Sequence, residues 1–242
     1  MNVKLQNTTT AKLSYRTAGR AAIGSGVIGI IAYGFLFTAV TSRTDWVISN
    51  YVYLMFKAHD IGVIIQFLLL IPAVFGLREL SQAKPQGMSR TTLNVGIGAL
   101  LFTAVFLLLG IVKILSDGHY TVPQGVFGVW LMVVNWRLLG VLGKGLRWFG
   151  MVVGLGLLIV ALFVPGYAIF VDPVILWIPP VDLANYPEPP MNLANTILHQ
   201  MIWIGTIMGV ATLPIWTILL GARLLREKRA VTQIGQTEQK SK

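Results

Sequence analysis

Six stretches without a charged side chain divide this chain: 21–40, 61–77, 91–112, 120–136, 148–171 and 200–222, each 17 to 24 residues long. A helix needs ~20 apolar residues to cross a ~30 Å hydrocarbon core. Lipid offers an unpaired backbone no solvent, so stretches of this length predict transmembrane helices. The second stretch reaches further toward the N-terminus, because residues 51–56 are already apolar. The fourth has 17 residues before Arg137, whose guanidinium can snorkel to the interface, so it still serves as a span. No segment alternates with period two over ~10 residues, which excludes a transmembrane barrel. The expected fold is all-α: a polytopic membrane protein with six transmembrane helices.

Charge orients these spans. Sixteen of the nineteen Lys and Arg residues fall on one alternating set of connections and termini, Arg43, Lys57 and Lys113 being the exceptions. The same set holds three acidic residues and the opposite set holds six. Basic loops stay cytoplasmic under the positive-inside rule, so both termini are expected inside a plasma membrane. The formal charge of +10 is therefore mostly a topology signal. Its natural partner is an anionic inner leaflet; basic patches interleaved with surface aromatics, as nucleic acid would need, are absent.

Composition agrees with one membrane domain. Of 242 residues 55% are hydrophobic and 12% charged, against about a quarter charged in an ordinary soluble domain. The division expected is a cytoplasmic N-terminal segment 1–20, a six-helix domain 21–222 and a basic cytoplasmic tail 223–242, which turns polar and reads as disordered. Stretch 21–40 is too long for the apolar region of a cleaved signal and reads as a retained span. The chain has no cysteine, so disulfides, thiolate catalysis and Cys-ligated metal sites are excluded. The outer connection 172–199 carries six of the eleven prolines, which favour extended backbone. Leu176, Trp177 and Ile178 within it suit either a headgroup-level anchor or a cap over the bundle mouth.

Few residues promise chemistry. His59, His119 and His199 all fall at outer helix ends or turns, with Asp60 and Asp117 beside two of them. Convergence of these groups from three helices would make a zinc-type site with an open position for water. Without convergence they are solvated or hydrogen-bonded surface groups, and no HExxH or paired HxxxH motif is present. His59 and Gln66 share one helix face, as do His199 and Thr206, and both faces are expected to turn inward. Haem between His59 and His199 is a weaker alternative, and no cofactor is expected. The middles of the spans carry only neutral polar groups such as Gln66, Thr103, Thr206 and Thr212, which disfavours an ion-coupled transporter. Pro72 and Pro214 are expected to kink their helices. Asn135, Trp136 and Arg137 read as an inner-interface anchor.

Small residues at spacing four, Gly150/Gly154 and Gly205/Gly209, let helix backbones approach, either within one bundle or across a dimer. Glycines between 140 and 145 read as turn or packing residues rather than a phosphate cradle, because no strand precedes them. Arg223, Arg226, Lys228 and Arg229 follow the sixth span at once and are expected to meet anionic lipid headgroups.

Four patterns carry a resemblance: Arg16-Thr-Ala-Gly-Arg20 before a Gly-rich first span, Gly76-Leu77-Arg78-Glu79-Leu80 closing the second, Leu146-Arg147-Trp148-Phe149-Gly150 opening the fifth, and Leu220-Gly221-Ala222-Arg223-Leu224-Leu225 closing the sixth. In these the chain resembles uncharacterised six-helix bacterial integral membrane proteins of this length. The resemblance implies the topology and a prokaryotic plasma membrane; no activity or site residue travels with it. The preferred functional reading is a non-enzymatic accessory subunit, associated with lipid, a membrane-protein partner or a second copy of itself. The alternatives are an outer-face metal-dependent hydrolase using the three histidines, and a small-solute permease.

Overall fold

Leu, Ile, Val, Ala and Gly dominate every long segment, and with each backbone bond closed internally such segments settle as helices. The structure, a computed structural model, describes residues 2–42, 50–82, 87–116, 118–178 and 192–240, with side chains of these from residue 15 to residue 226. Among these residues eight α-helices follow in order: α1 Asn2–Thr41, α2 Asn50–Ser81, α3 Arg90–Ile111, α4 Thr121–Arg137, α5 Lys144–Ala161, α6 Phe163–Phe170, α7 Leu193–Gly205 and α8 Leu213–Lys240. Among the described residues five helical stretches are long and apolar enough to cross a membrane: Tyr15–Thr41, Asn50–Ser81, Arg90–Ile111, Lys144–Phe170 and Leu193–Arg226. The shorter α4 has 17 residues.

Neighbours in sequence are neighbours in space, and the ring closes where α8 returns to α1. Cross-contacts fix the pairs as antiparallel. Gly76 meets Ala18, Gln66 meets Gly29 and Gly62 meets Ala32, so α2 runs against α1 along most of its length. Gly221 meets Gly19 and Gly26 meets Pro214, which sets α8 against α1 in the same way. Gly125 against Ala161 and Gly150 against Asn135 do so for α4 and α5. One end of the bundle therefore gathers Arg16, Arg20, Arg78, Arg90, Arg137, Lys144, Arg147, Arg223 and Arg226. Lys57 and Lys113 lie toward the other end.

The core is apolar and aromatic. Phe67 of α2 meets Phe127 of α4 edge-on at 6.2 Å, and Phe127 stacks on Trp130 at 5.3 Å. Trp130 lies over Gly96 of α3 and donates its indole N–H to the Thr92 carbonyl at 2.6 Å. Trp216 of α8 lies over Gly150 and donates to the Leu146 carbonyl at 3.3 Å. A buried indole needs an acceptor as well as room, and each tryptophan here finds both. Outward faces are equally apolar: Phe37 is 72% exposed and Phe102 60%. Contiguous apolar exposure on this scale suits hydrocarbon rather than water.

Several boundaries depart from the sequence reading. The sixth stretch is not one α-helix, since a π turn at Thr206–Val210 separates α7 from α8. Pro214 has no N–H for the Val210 carbonyl, and the backbone widens before it, Ala211 N–H bonding Thr206 O at 2.8 Å. Pro165 likewise cannot serve the Ala161 carbonyl, and the fifth stretch is interrupted at Leu162 between α5 and α6. α2, by contrast, runs through Pro72. Helix α1 includes residues 2–20, and α8 continues to Lys240 where composition favours disorder. Leu, Arg, Glu, Lys, Ala and Gln there are strong helix formers extending an established helix.

Helix α3 ends with the bond pattern of a Schellman motif: Lys113 N–H to Gly110 O at 2.8 Å and Ile114 N–H to Leu109 O at 2.9 Å. Lys113 takes the left-handed conformation there, at φ 60°.

Candidate functional site

At the end opposite the arginines, each histidine has its own partners. His59 of α2 is buried, its Nδ1 3.0 Å from Asp60 Oδ1 and its ring 5.6 Å from that of Tyr33 on α1. Its Nε2 is buried with no hydrogen-bond partner. His119 stands in the turn before α4, its Nδ1 2.6 Å from Ser116 Oγ. Ser116 in turn reaches the Ile175 carbonyl at 3.4 Å, tying this turn to the short 3-10 helix Pro173–Leu176. His199 of α7 is exposed, with Nδ1 3.1 Å from the Asn195 carbonyl and its ring 6.5 Å from Phe163. Its expected inward turn is not seen, because Asn195, Leu198 and Gly205 take the buried face of α7. Among the described residues no three His, Asp or Glu side chains gather as metal ligands; Asp117 lies outside those residues, as do Asp45, Trp46 and the prolines from 179 to 190.

The interior holds neutral polar groups. Thr103, Thr217 and Asn135 each donate to a carbonyl of their own helix, at 2.8 Å. Asn135 is fully buried beside Gly150 while Trp136 is 68% exposed, so the expected interface triplet divides between bundle and surface. Gln66 differs from these. It is fully buried at the α1–α2 contact over Gly29, yet both its amide oxygen and nitrogen lack a partner. Ser25 Oγ donates to the Gln66 backbone carbonyl at 2.9 Å, not to the amide.

The four paired glycines sit against neighbouring helices. A Cβ on Gly150 would stand 2.6 Å from Trp216 Nε1, and one on Gly154 2.5 Å from the Gly128 carbonyl oxygen. One on Gly205 would be 2.9 Å from Gly156 O, and one on Gly209 2.5 Å from the Gly156 carbonyl carbon. Gly156 is the partner that spacing-four pairing did not single out, since Val152 and Val160 flank it at that distance.

At the basic end a groove of about 550 Å³ opens between the turn 140–143, the start of α5 and the face of α8 carrying Leu219, Arg223 and Arg226. Gly140 turns the chain there at φ 79°. Both arginines and the glycines stand out in the sequence but their meeting does not; its one local signal is three glycines within six residues, Gly140, Gly143 and Gly145. Lys228 and Arg229 follow on α8, with side chains beyond those described.

No family model, curated protein or solved structure matches the chain. Its class rests on its own features: an all-helical, membrane-like fold consistent with a multi-pass membrane protein.

Proposed function

We propose that this is a non-enzymatic multi-pass protein of a prokaryotic plasma membrane, crossing six times with both termini cytoplasmic, and acting as an accessory subunit through lipid and helix-face contacts. The observation that carries the reading is the gathering of arginines and lysines at one end of an outwardly apolar bundle. Positive-inside sorting makes that end cytoplasmic. Helix α4, at 17 residues, is about 26 Å long and close to the hydrocarbon thickness, with Arg137 able to reach the interface. Arg223, Arg226, Lys228 and Arg229 then lie where α8 leaves the bilayer and draw anionic headgroups to it. A second copy or another membrane protein is the partner that the exposed helix faces would accept.

Exchanging those four residues for Gln together tests the lipid part. Anionic lipid co-purifying with the protein, measured by mass spectrometry of extracts, is expected to fall to the level of the bulk membrane. Unchanged enrichment with unchanged topology would make them solvated tail charges and remove this part of the proposal.

A further inference from the structure

The groove at the basic end has a more specific character than a charged surface. We infer that it is a binding site for one anionic phospholipid, with the headgroup phosphate held by Arg223 and Arg226. The inference rests on the proposed cytoplasmic placement of this end. The volume, about 550 Å³, falls within the range of small-molecule sites and exceeds what a bare phosphate would fill. The lining is amphiphilic. Leu142, Leu146, Phe149 and Leu219 supply apolar wall, while the two arginines, three residues apart on one face of α8, supply charge. A soluble inorganic anion has no use for the wall, and a zwitterionic lipid, whose own ammonium offsets its phosphate, has less use for the guanidinium pair than a lipid of net negative charge. The first turn of α5 borders the same space, and Gly143 caps it without a side-chain bond, so its backbone adds potential of the same sign.

Gly145 offers a way to separate shape from charge. It lines the groove, and a Cβ built on it meets nothing within 4 Å. A large side chain there grows into open space without changing the net charge.

The test uses the full chain in phosphatidylcholine nanodiscs, titrated with phosphatidylglycerol and read by native mass spectrometry. Retention of one phosphatidylglycerol in preference to phosphatidylcholine is expected. Arg223→Gln with Arg226→Gln should weaken it roughly thirtyfold, and Arg226→Gln alone roughly fivefold. Gly145→Phe, at constant charge, should weaken it at least as much as the single arginine change. If Gly145→Phe loses helicity by circular dichroism, Gly145→Leu, which also grows from the open Cβ position and suits a helix better, carries the test at constant charge. A folded Gly145→Phe that binds like the parent would overturn the groove while leaving general attraction by the four basic residues standing. Displacement of the lipid by millimolar inorganic phosphate would assign the site to a soluble anion instead, and equal retention of phosphatidylcholine would remove charge recognition altogether.

Discussion

Leucine at Gly209 or at Gly156 is expected to cost at least ~3 kcal/mol of stability, or to prevent folding, the upper end of the range for overpacking. A Cβ on Gly156 would stand 2.6 Å from both Gly209 Cα and Met208 C, which are backbone atoms of the sixth stretch. A flexible side chain could swing away; a main chain held within the π turn that precedes Pro214 cannot. Helices in lipid gain little from hydrophobic transfer between one another, so this close approach is a principal source of adhesion between the fifth and sixth stretches. Alanine at Gly156 should already be measurably destabilising. The matched comparison is Gly98→Ala on α3, where nothing lies within 4 Å, and where neutrality or a gain of up to ~1 kcal/mol follows from helix propensity. Reversible unfolding in mixed micelles reads all of these. A Gly209→Leu protein as stable as the parent would mean that the two backbones are not in contact.

The second large effect has the opposite sign. Gln66→Met keeps an unbranched side chain of similar length over Gly29 but removes two buried amide atoms that have no partner. Leaving such groups unsatisfied costs ~1–3 kcal/mol, more so where the surroundings are apolar. The methionine variant is therefore expected to be more stable by about that amount in the same unfolding assay. A gain would show that Gln66 does not serve folding and would make the α1–α2 contact the place to look for a bound polar species. A loss above ~1 kcal/mol would show instead that the amide is satisfied by ordered water.

How much of this was legible in the sequence depends on whether the signal is local. The long apolar segments of α1, α2, α3 and α5 announce themselves within one window, and α2 even shows its early start in the apolar run 51–56. Charge placement is equally local, and the structure gathers the same arginines at one bundle end. Two interruptions are written in Pro165 and Pro214, and the sequence alone predicts only the second, as a kink rather than a π turn. What no window contains is the meeting of distant residues. Gly156 against Gly209, Gly26 against Pro214 and Gln66 over Gly29 depend on how helices rotate and slide when packed. The groove is the same kind of feature, joining the turn 140–143 to Arg223 and Arg226. His59 shows both halves of the lesson. Its neighbour Asp60 can be read from sequence, whereas the Tyr33 ring that packs on it belongs to another helix.

Six crossings with both ends inside depend most on α4, the shortest span at 17 residues. Reporter fusions after Asp117, after Gly143 and after Lys242 test it directly. An external reporter after Asp117 and cytoplasmic reporters after Gly143 and Lys242 are expected. External reporters at all three positions would show instead that α4 does not cross, leaving five spans and the C-terminus outside.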